Sequence, residues 1–269
     1  MNILVFVKQV PKDEDLRLDP ETKNLIRNQG SGQISEYDKY SMELAMRLKE
    51  ALGGKVTAVT MGPLQSESVL RHCLALGADN VYLLSDRAMG GADACATVNV
   101  LAMAKKYLEE RCGTFDLILC GKQASDSDTS LVMPELAEAL DLPQLSNVIN
   151  YELIDGTVCF EHEAEVGSEL AEIALPAVLG VSKTVFSARY PNIRLKLMAN
   201  RRTIESINAS ELGADPHDIG TLGSKTLVGA SYFPVHDKAT VVIHEENDGL
   251  NAMKLFEILQ AKRVIRGDI

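Results

Sequence analysis

Apolar runs that alternate with helical patterns predict an α/β protein with an open, doubly wound and mostly parallel sheet. The runs are rich in Val, Ile and Leu, as strands covered on both faces are. Four of them are residues 2–7, 55–61, 80–84 and 115–120. Between the runs, apolar residues recur at helical spacing, and the helical patterns end at Gly53, Gly77 and Gly113. This alternation implies right-handed crossovers between parallel strands.

Two segments depart from the alternation. Residues 16–26 place a turn of Pro, Asp and Asn between two short alternating stretches and predict a hairpin inserted after the first strand. Residues 147–181 are strand-like without intervening helices, with runs at 148–153, 157–162 and 174–181. They predict antiparallel additions to the sheet.

The last third of the chain has a different character. Beyond Ser182 the periodicity fades, basic residues accumulate, and a helix is expected only near residues 252–262. A long irregular stretch is improbable inside a compact domain. We therefore divide the chain into an α/β domain at residues 1–182 and an extended partner-binding arm with a C-terminal helix at residues 183–269.

Composition excludes several classes of function. The net charge of −11 repels phosphodiester backbones and argues against nucleic acid as a partner. The first residues lack a signal-peptide pattern and no apolar run approaches ~18 residues, which predicts a cytoplasmic protein without membrane insertion. The five cysteines form no C-x-x-C pair and the five histidines lack metal-ligand spacing. We therefore expect free thiols, no metal site and no catalytic residue, so that any redox chemistry comes from a bound cofactor.

Residues 115–140 have the layout of a phosphate site. An apolar run ends at Gly121, a loop of small polar residues follows, and a helical pattern begins near Val132. This layout directs the unpaired N–H groups at the start of a helix toward an anion. On layout alone, the commoner role of the polar residues is to cap the helix. The candidates for capping are Asp126, Ser127, Asp128, Thr129 and Ser130.

A second glycine-containing loop follows the run at residues 80–84. The pair Gly90-Gly91 permits a close approach of backbone and ligand, while Asp93 either caps the next helix or accepts from a ribose hydroxyl. Capping is again the commoner role. Neither a G-x-G-x-x-G nor a G-x-x-x-x-G-K-[ST] motif is present, which disfavours a Rossmann dehydrogenase and a P-loop hydrolase.

Four motifs together resemble the β subunit of electron transfer flavoproteins, in register over about residues 1–200. They are Gly121-Lys122-Gln123-Ala124-x-Asp126-x-Asp128-Thr129, Val5-x-Val7-Lys8-Gln9-Val10-Pro11, Met61-Gly62-Pro63 and Leu74-Ala75-Leu76-Gly77-Ala78-Asp79. The resemblance implies a Rossmann-like, adenine nucleotide-binding α/β domain. It also implies pairing with an α subunit that carries an FAD.

The resemblance leaves two cofactors open for this chain, which are FAD and AMP. Residues 85–93 with Ala96-Thr97, together with residues 7–11 and the loop Asp126-x-Asp128-Thr129, resemble the FAD-holding, bifurcating type found in anaerobes, in which NADH reduces the β-bound flavin. Electrons then divide between the α-subunit flavin and a low-potential acceptor, ferredoxin or flavodoxin. The alternative is a non-bifurcating subunit that holds AMP as a structural filler. An alternative of another class is a stand-alone adenine-nucleotide hydrolase or sensor, which lacks any base–nucleophile pattern here.

The resemblance implies a set of cofactor-binding residues. The loop and helix start would hold the phosphates through backbone N–H groups, Phe6 and Met61 would contact the adenine, and the aspartates would serve in capping, ribose contact or loop closure. The set is Phe6, Ser35, Glu36, Tyr37, Asp38, Met61, Gly90, Gly91, Asp93, Thr97, Gly121, Lys122, Gln123, Ala124, Ser125, Asp126, Ser127, Asp128, Thr129, Ser130, Leu131 and Val132. Ser35-Glu36, Ser127 and Ser130-Leu131 depart from the family pattern, and Pro134 removes an N–H near the helix start.

A further segment resembles the family's docking loop for a flavoprotein dehydrogenase such as an acyl-CoA dehydrogenase. Its residues include Arg189, Pro191 and Ile193, and a basic run at residues 199–202 follows. The basic run either docks a partner or forms a solvated face.

Overall fold

The structure is a computed structural model that describes residues 1–11, 32–229 and 240–265. The hairpin predicted at residues 16–26 lies outside these residues. The chain divides into two compact units, Met1–Ser231 and Tyr232–Ile269. The partner-binding role of residues 183–269 stays a prediction, although the first compact unit extends well beyond Ser182.

Eighteen helices and strands are present in the described residues. The strands are β1 (Asn2–Phe6), β2 (Gln9–Val10), β3 (Gln33–Ile34), β4 (Lys55–Met61), β5 (Asn80–Leu84), β6 (Leu117–Gly121), β7 (Gln144–Ile154), β8 (Thr157–Glu163), β9 (Ser168–Glu172), β10 (Ala177–Val181) and β11 (Glu205–Ile207). The helices are α1 (Glu36–Leu52), α2 (Glu67–Leu76), α3 (Ala94–Cys112), α4 (Val132–Leu140), α5 (Ile193–Arg201), α6 (Gly220–Gly223) and α7 (Asp248–Ala261). Short 3₁₀ turns at Leu64–Ser66 and Arg87–Met89 come in addition.

The main sheet has the order β11-β5-β4-β1-β6-β10-β7-β8-β9 within the described part of the chain. Neighbours from β11 to β7 are parallel, and β8 and β9 are added in antiparallel fashion. The predicted fold class, a doubly wound and mostly parallel sheet with antiparallel additions, is confirmed. The antiparallel assignment of residues 174–181 is wrong, because β10 lies parallel between β6 and β7. All five β10 residues are buried, as expected for a strand covered on both faces.

Helices cover both faces of this sheet. Along β1, Ile3 and Val5 face one core with α1 and α2, whereas Leu4 and Phe6 face the other core with α3 and α4. The glycines predicted to end α1, α2 and α3 do so, since each has a positive φ and donates its N–H to a carbonyl of the preceding helix. In the described ranges, no helix combines the length and apolar composition needed to cross a bilayer.

Three elements after Ser182 were not predicted, which are α5, β11 and the short helix α6. Helix α5 begins where the Asn192 side chain accepts the N–H groups of Arg194 and Leu195, and it packs against α2. Strand β11 then extends the sheet beside β5. The expectation of no helix before residue 252 is therefore wrong. Only Ala199 of α5 is buried and its larger apolar side chains are mostly exposed, so α5 lacks the buried face that a helical pattern usually reports. In the second unit, α7 overlaps the predicted C-terminal helix and has Asn247 as its N-cap.

Candidate functional site

The strand order reverses between β1 and β6. From β1 the chain moves to β4 and β5 on one side and then returns to β6 on the other. In open α/β sheets, ligands bind outside the carboxyl ends of the strands at such a reversal. Phe6 and Gly121 end the two strands there, and Met61 ends the neighbouring strand β4. The Phe6 side chain is buried in the core and Met61 packs partly against it, so chiefly their backbone faces this edge.

The loop between β6 and α4 reaches the helix without capping it. Helix α4 starts at Val132, and its N-cap residue Leu131 makes no side-chain hydrogen bond to the helix. The alternative that the polar residues of this loop cap α4 is therefore wrong. Asp128 and Ser130 instead adopt left-handed conformations, with φ of 56° and 57°. Among the described residues, no side chain caps the first turn of α4, where Pro134 has no N–H.

Two anchors hold this loop to the rest of the domain. The Lys8 Nζ lies 2.6 Å from Asp126 Oδ1 and 3.3 Å from Ser127 Oγ, and the Asp126 side chain is only 2% exposed. Gln123 accepts hydrogen bonds from Ser35 Oγ at its carbonyl and from Ser130 Oγ at its side-chain oxygen, at 3.4 and 3.0 Å. Asp126 therefore serves in loop closure, one of the roles predicted for it.

Asp38 joins the ends of β1 and β6. One carboxylate oxygen accepts the Lys8 N–H at 2.7 Å and the other accepts the Gly121 N–H at 3.1 Å. A Cβ on Gly121 would lie 2.3 Å from this carboxylate, so only glycine fits there. Burial raises the pKa of Asp38 from 3.8 to about 7, although the two N–H groups and the Lys8 charge oppose the shift. Asp38 thus contacts backbone groups of the site, and its direct contact with a cofactor stays a prediction.

The neighbouring predicted residues lie around the same strand ends. Tyr37 packs against Gly121, and Glu36 is exposed and pairs with Lys39. The Lys122 N–H donates to Val181 O, which fixes the loop to β10. The remaining loop residues are exposed or half-buried and free of the core. These are Ala124, Ser125 and Thr129.

The loop after β5 is interlocked with residues 220–226. Asp93 caps α3 by accepting the Ala96 N–H, and its other oxygen accepts from Lys225 and Thr226. The capping alternative for Asp93 is confirmed, while its contact with a ribose stays a prediction. Around it, a Cβ on Gly91 would meet the Thr221 hydroxyl, Gly90 O accepts the Thr221 N–H, and Thr97 lies in the first turn of α3.

The predicted docking segment lies over α1 and α2. The Arg189 guanidinium donates to Glu43, which is 3% exposed, and to Glu50. Its positive charge is therefore neutralised within the domain. Ala188 to Pro191, together with α1 and α2, line a cleft of about 220 Å³. Tyr190 and Ile193 extend outward with 94% and 79% of their surface exposed.

Sequence reasoning missed two contributors to this edge of the sheet. Lys8 is part of a motif that carries the family resemblance, but the motif does not show that its side chain anchors the loop before α4. Its position just after β1 is the signal that could have indicated this contact. The contact of residues 224–226 with Asp93 joins segments more than 130 residues apart, which no local pattern reveals. In the described ranges no cluster of three or more metal-ligating side chains occurs, and the five cysteines are free thiols.

Comparison with known proteins gives consistent matches. The family model described as the electron transfer flavoprotein domain matches residues 22–212. The electron transfer flavoprotein subunit beta of Thermoanaerobacterium thermosaccharolyticum is 40% identical, over 89% of this chain and 90% of that protein. The subunit of the same name from Megasphaera elsdenii is 37% identical, over 98% and 100%. The caffeyl-CoA reductase-Etf complex subunit CarD of Acetobacterium woodii is 36% identical, over 87% and 88%.

The residues matched by the family model include the loop before α4 and the docking segment, and the relatives are covered almost from end to end. The chain therefore belongs to the electron transfer flavoprotein family, as a subunit of the β type that takes part in electron transfer together with an α subunit.

Proposed function

We propose that this chain is the FAD-binding β subunit of an NADH-driven, bifurcating electron transfer flavoprotein. When bound, the flavin accepts a hydride from NADH and passes electrons separately toward the α-subunit flavin and toward ferredoxin or flavodoxin. The chain's own residues bind and orient this cofactor. The alternative cofactor is AMP, which would make the subunit a non-bifurcating one.

The start of α4 is the observation that carries the proposal. Helix α4, nine residues long and without a side-chain cap, begins at the strand reversal. It follows a loop in which Asp128 and Ser130 adopt left-handed conformations. Amide dipoles fixed in this way favour a phosphate without reorganising. The loop's donors are backbone N–H groups and the hydroxyls of Ser127 and Thr129, a donor set that suits a phosphate. The residues therefore fit the phosphate portion of either FAD or AMP.

The width of the site favours the dinucleotide. The predicted residues lie at the ends of four adjacent strands, in the order β6, β1, β4 and β5. Three inter-strand spacings of ~4.8 Å separate the outer two, which is about 14 Å. AMP at the strand reversal would leave the loop at residues 86–93 without a ligand. An FAD extended along this edge would reach both loops, which supports FAD.

The cofactor content of the purified complex tests this proposal. The heterodimer with its α subunit, extracted under mild conditions, should release about two FAD and essentially no AMP. Mass spectrometry and the flavin absorbance of the extract give the stoichiometry. One FAD with one AMP would refute the bifurcating assignment, and no nucleotide at all beyond the α-subunit FAD would refute the nucleotide site itself.

A docking surface for a flavoprotein dehydrogenase is the second part of the proposal. Tyr190, Ile193, Leu197 and Met198 are exposed apolar side chains on one segment, beside basic residues of α5. An apolar centre with a charged rim is typical of a partner interface. The relative from Acetobacterium woodii is named as a subunit of a caffeyl-CoA reductase complex, which supports a partner that acts on an acyl-CoA.

Substitution in this surface separates docking from cofactor binding. Ile193→Asp should lower the rate of electron exchange with an acyl-CoA dehydrogenase without changing the flavin content. Leu153→Asp on β7 is the matched control, because Leu153 is exposed on a different face. Equal rates for the two variants would argue against docking at this segment.

The α subunit is proposed to cover the end of the chain. Large apolar side chains are exposed from residue 227 onward in the described ranges, and exposed apolar surface of this kind is typical of a partner-binding surface. They are Leu227, Val228, Val241, Val242, Leu250, Met253, Leu255 and Val264. Hydrogen exchange of residues 240–265 should slow when the α subunit binds, and unchanged exchange would refute this role.

A further inference from the structure

Lys8 contacts the site in two ways. Its backbone N–H is held by the buried carboxylate of Asp38, which also holds the end of β6 through Gly121. Its ammonium group crosses the edge of the sheet to Asp126 at 2.6 Å. One residue therefore connects the end of β1, the start of α1 and the loop before α4.

The loop requires such a connection. Non-glycine residues in left-handed conformations are strained, and they persist only when the surrounding contacts determine them. Two such residues, Asp128 and Ser130, lie within four positions of Asp126. The Asp126 side chain is only 2% exposed, so the ion pair ties a buried group of the loop to the residues that follow β1. Loss of Lys8 removes this tie, and the loop is then expected to move.

The hydrogen bonds of Lys8 oppose a direct role on a phosphate. Its ammonium donates to Asp126 Oδ1 and to Ser127 Oγ, so the loop itself engages two of its three N–H donors. If Lys8 acted through charge alone, Asp126 would weaken the binding of an anion. If the pair acts by holding the loop, both residues are needed for binding, and the two models predict opposite signs for the removal of Asp126.

We propose that Lys8 is a positioning residue of the nucleotide site, which fixes the loop before α4 through its ion pair with Asp126 and does not itself bind the phosphate. This inference rests on the proposed function, because it assumes that the loop receives a nucleotide.

A double-mutant cycle on the heterodimer tests the inference, with AMP and FAD as the titrated ligands. Lys8→Met and Asp126→Asn should each weaken binding tenfold or more, which corresponds to about 1.4 kcal/mol. The double variant should bind no more weakly than the weaker single variant, because the second change removes a partner already lost. Tighter binding by Asp126→Asn, or fully additive losses in the double variant, would show that Lys8 acts directly on the ligand and would overturn the proposal.

The ion pair of Lys49 and Asp79 provides a matched control. It is of similar length, 2.7 Å, and Asp79 also accepts the N–H of Val56 at the opposite, amino-terminal edge of the sheet. Lys49→Met should lower the thermal midpoint while leaving nucleotide affinity within about twofold of wild type. An affinity loss equal to that of Lys8→Met would mean that any broken ion pair has this effect, and the proposal would fail.

Hydrogen exchange in nucleotide-free protein separates this inference from the proposed function. Residues 121–131 should exchange faster in Lys8→Met and in Asp126→Asn, but not in Lys49→Met. Unchanged exchange in the first two variants would overturn the positioning role, whatever the ligand data. If the wild-type protein binds neither AMP nor FAD while the loop still loosens, the proposed function fails and the positioning role stands.

Discussion

Asp38 makes the stability of the protein depend on pH near neutrality. Its carboxyl is 5% exposed, and burial raises its pKa from 3.8 to about 7. The folded protein therefore binds this proton more tightly than the unfolded chain does. The resulting stabilisation is present at low pH and is lost as the pH rises through about 7.

The expected magnitude follows from the size of this pKa shift. Between about pH 6 and about pH 8, Asp38 passes from mostly protonated to mostly ionised in the folded protein, while it is ionised throughout in the unfolded chain. The linkage relation then gives a loss of about 1.4 kcal/mol from this group. His72 acts in the opposite direction, because burial and the charges of Lys39 and Lys196 lower its pKa. The unfolding free energy of the wild-type protein therefore falls less steeply with pH than Asp38 alone would give.

Asp38→Asn isolates the contribution of Asp38, because His72 is unchanged in the variant. Asparagine offers one acceptor to the two N–H groups of Lys8 and Gly121, so the variant is less stable at pH 6, by about 1–3 kcal/mol. The difference in unfolding free energy between wild type and variant should shrink by about 1.4 kcal/mol on going to pH 8.

Urea unfolding of the nucleotide-free protein, at several pH values and constant ionic strength, measures this difference. The slope of the free energy against urea must be the same in both proteins for the comparison to hold. Parallel pH profiles, with a constant difference between wild type and variant, would refute a pKa near 7 for Asp38.

Three further predictions concern other parts of the domain. Ser130→Asp should weaken AMP binding about tenfold relative to the neutral Ser130→Asn, since both residues tolerate the left-handed backbone and only the charge opposes the anion; equal affinities would argue against a phosphate there. Asp93→Ala should cost about 2–3 kcal/mol and speed hydrogen exchange at residues 224–226, and unchanged exchange there would contradict the anchoring. Cys73 and Cys120, whose pKa values burial raises, should react with a thiol reagent only after unfolding; reaction in the native protein would contradict their burial.

The sheet was predictable because its strands share one sequence pattern, an apolar run followed by a helix. Strands β1, β4, β5 and β6 are rich in apolar residues on both faces, and the helices between them end at glycines with positive φ. The position of β10 was not predictable in the same way. Its order in the sheet depends on pairing with β6 and β7 rather than on its own residues, and an apolar run carries no information about strand direction.

The site was predictable in location but only partly in the role of each residue. The pattern of a strand, a polar loop and a helix predicted the loop at residues 121–132. The same types of polar residue are also favoured at helix N-caps, so the pattern alone did not define their role. In the structure Asp128 and Ser130 adopt left-handed conformations, and neither of them occupies the N-cap position of α4, which is Leu131. Sequence gives no signal for a left-handed serine.

The two aspartates of the site illustrate how one residue type serves two structural purposes. Asp93 lies at a helix start and uses both oxygens on N–H groups of α3 and of the segment at residues 224–226. Asp38 lies in the first turn of α1, where its oxygens reach across to the ends of β1 and β6. Each carboxylate joins parts of the chain that a nucleotide along this edge would contact together. These hydrogen bonds fix the two loops against the strand ends, so a ligand at this edge would not have to bear the whole cost of ordering them.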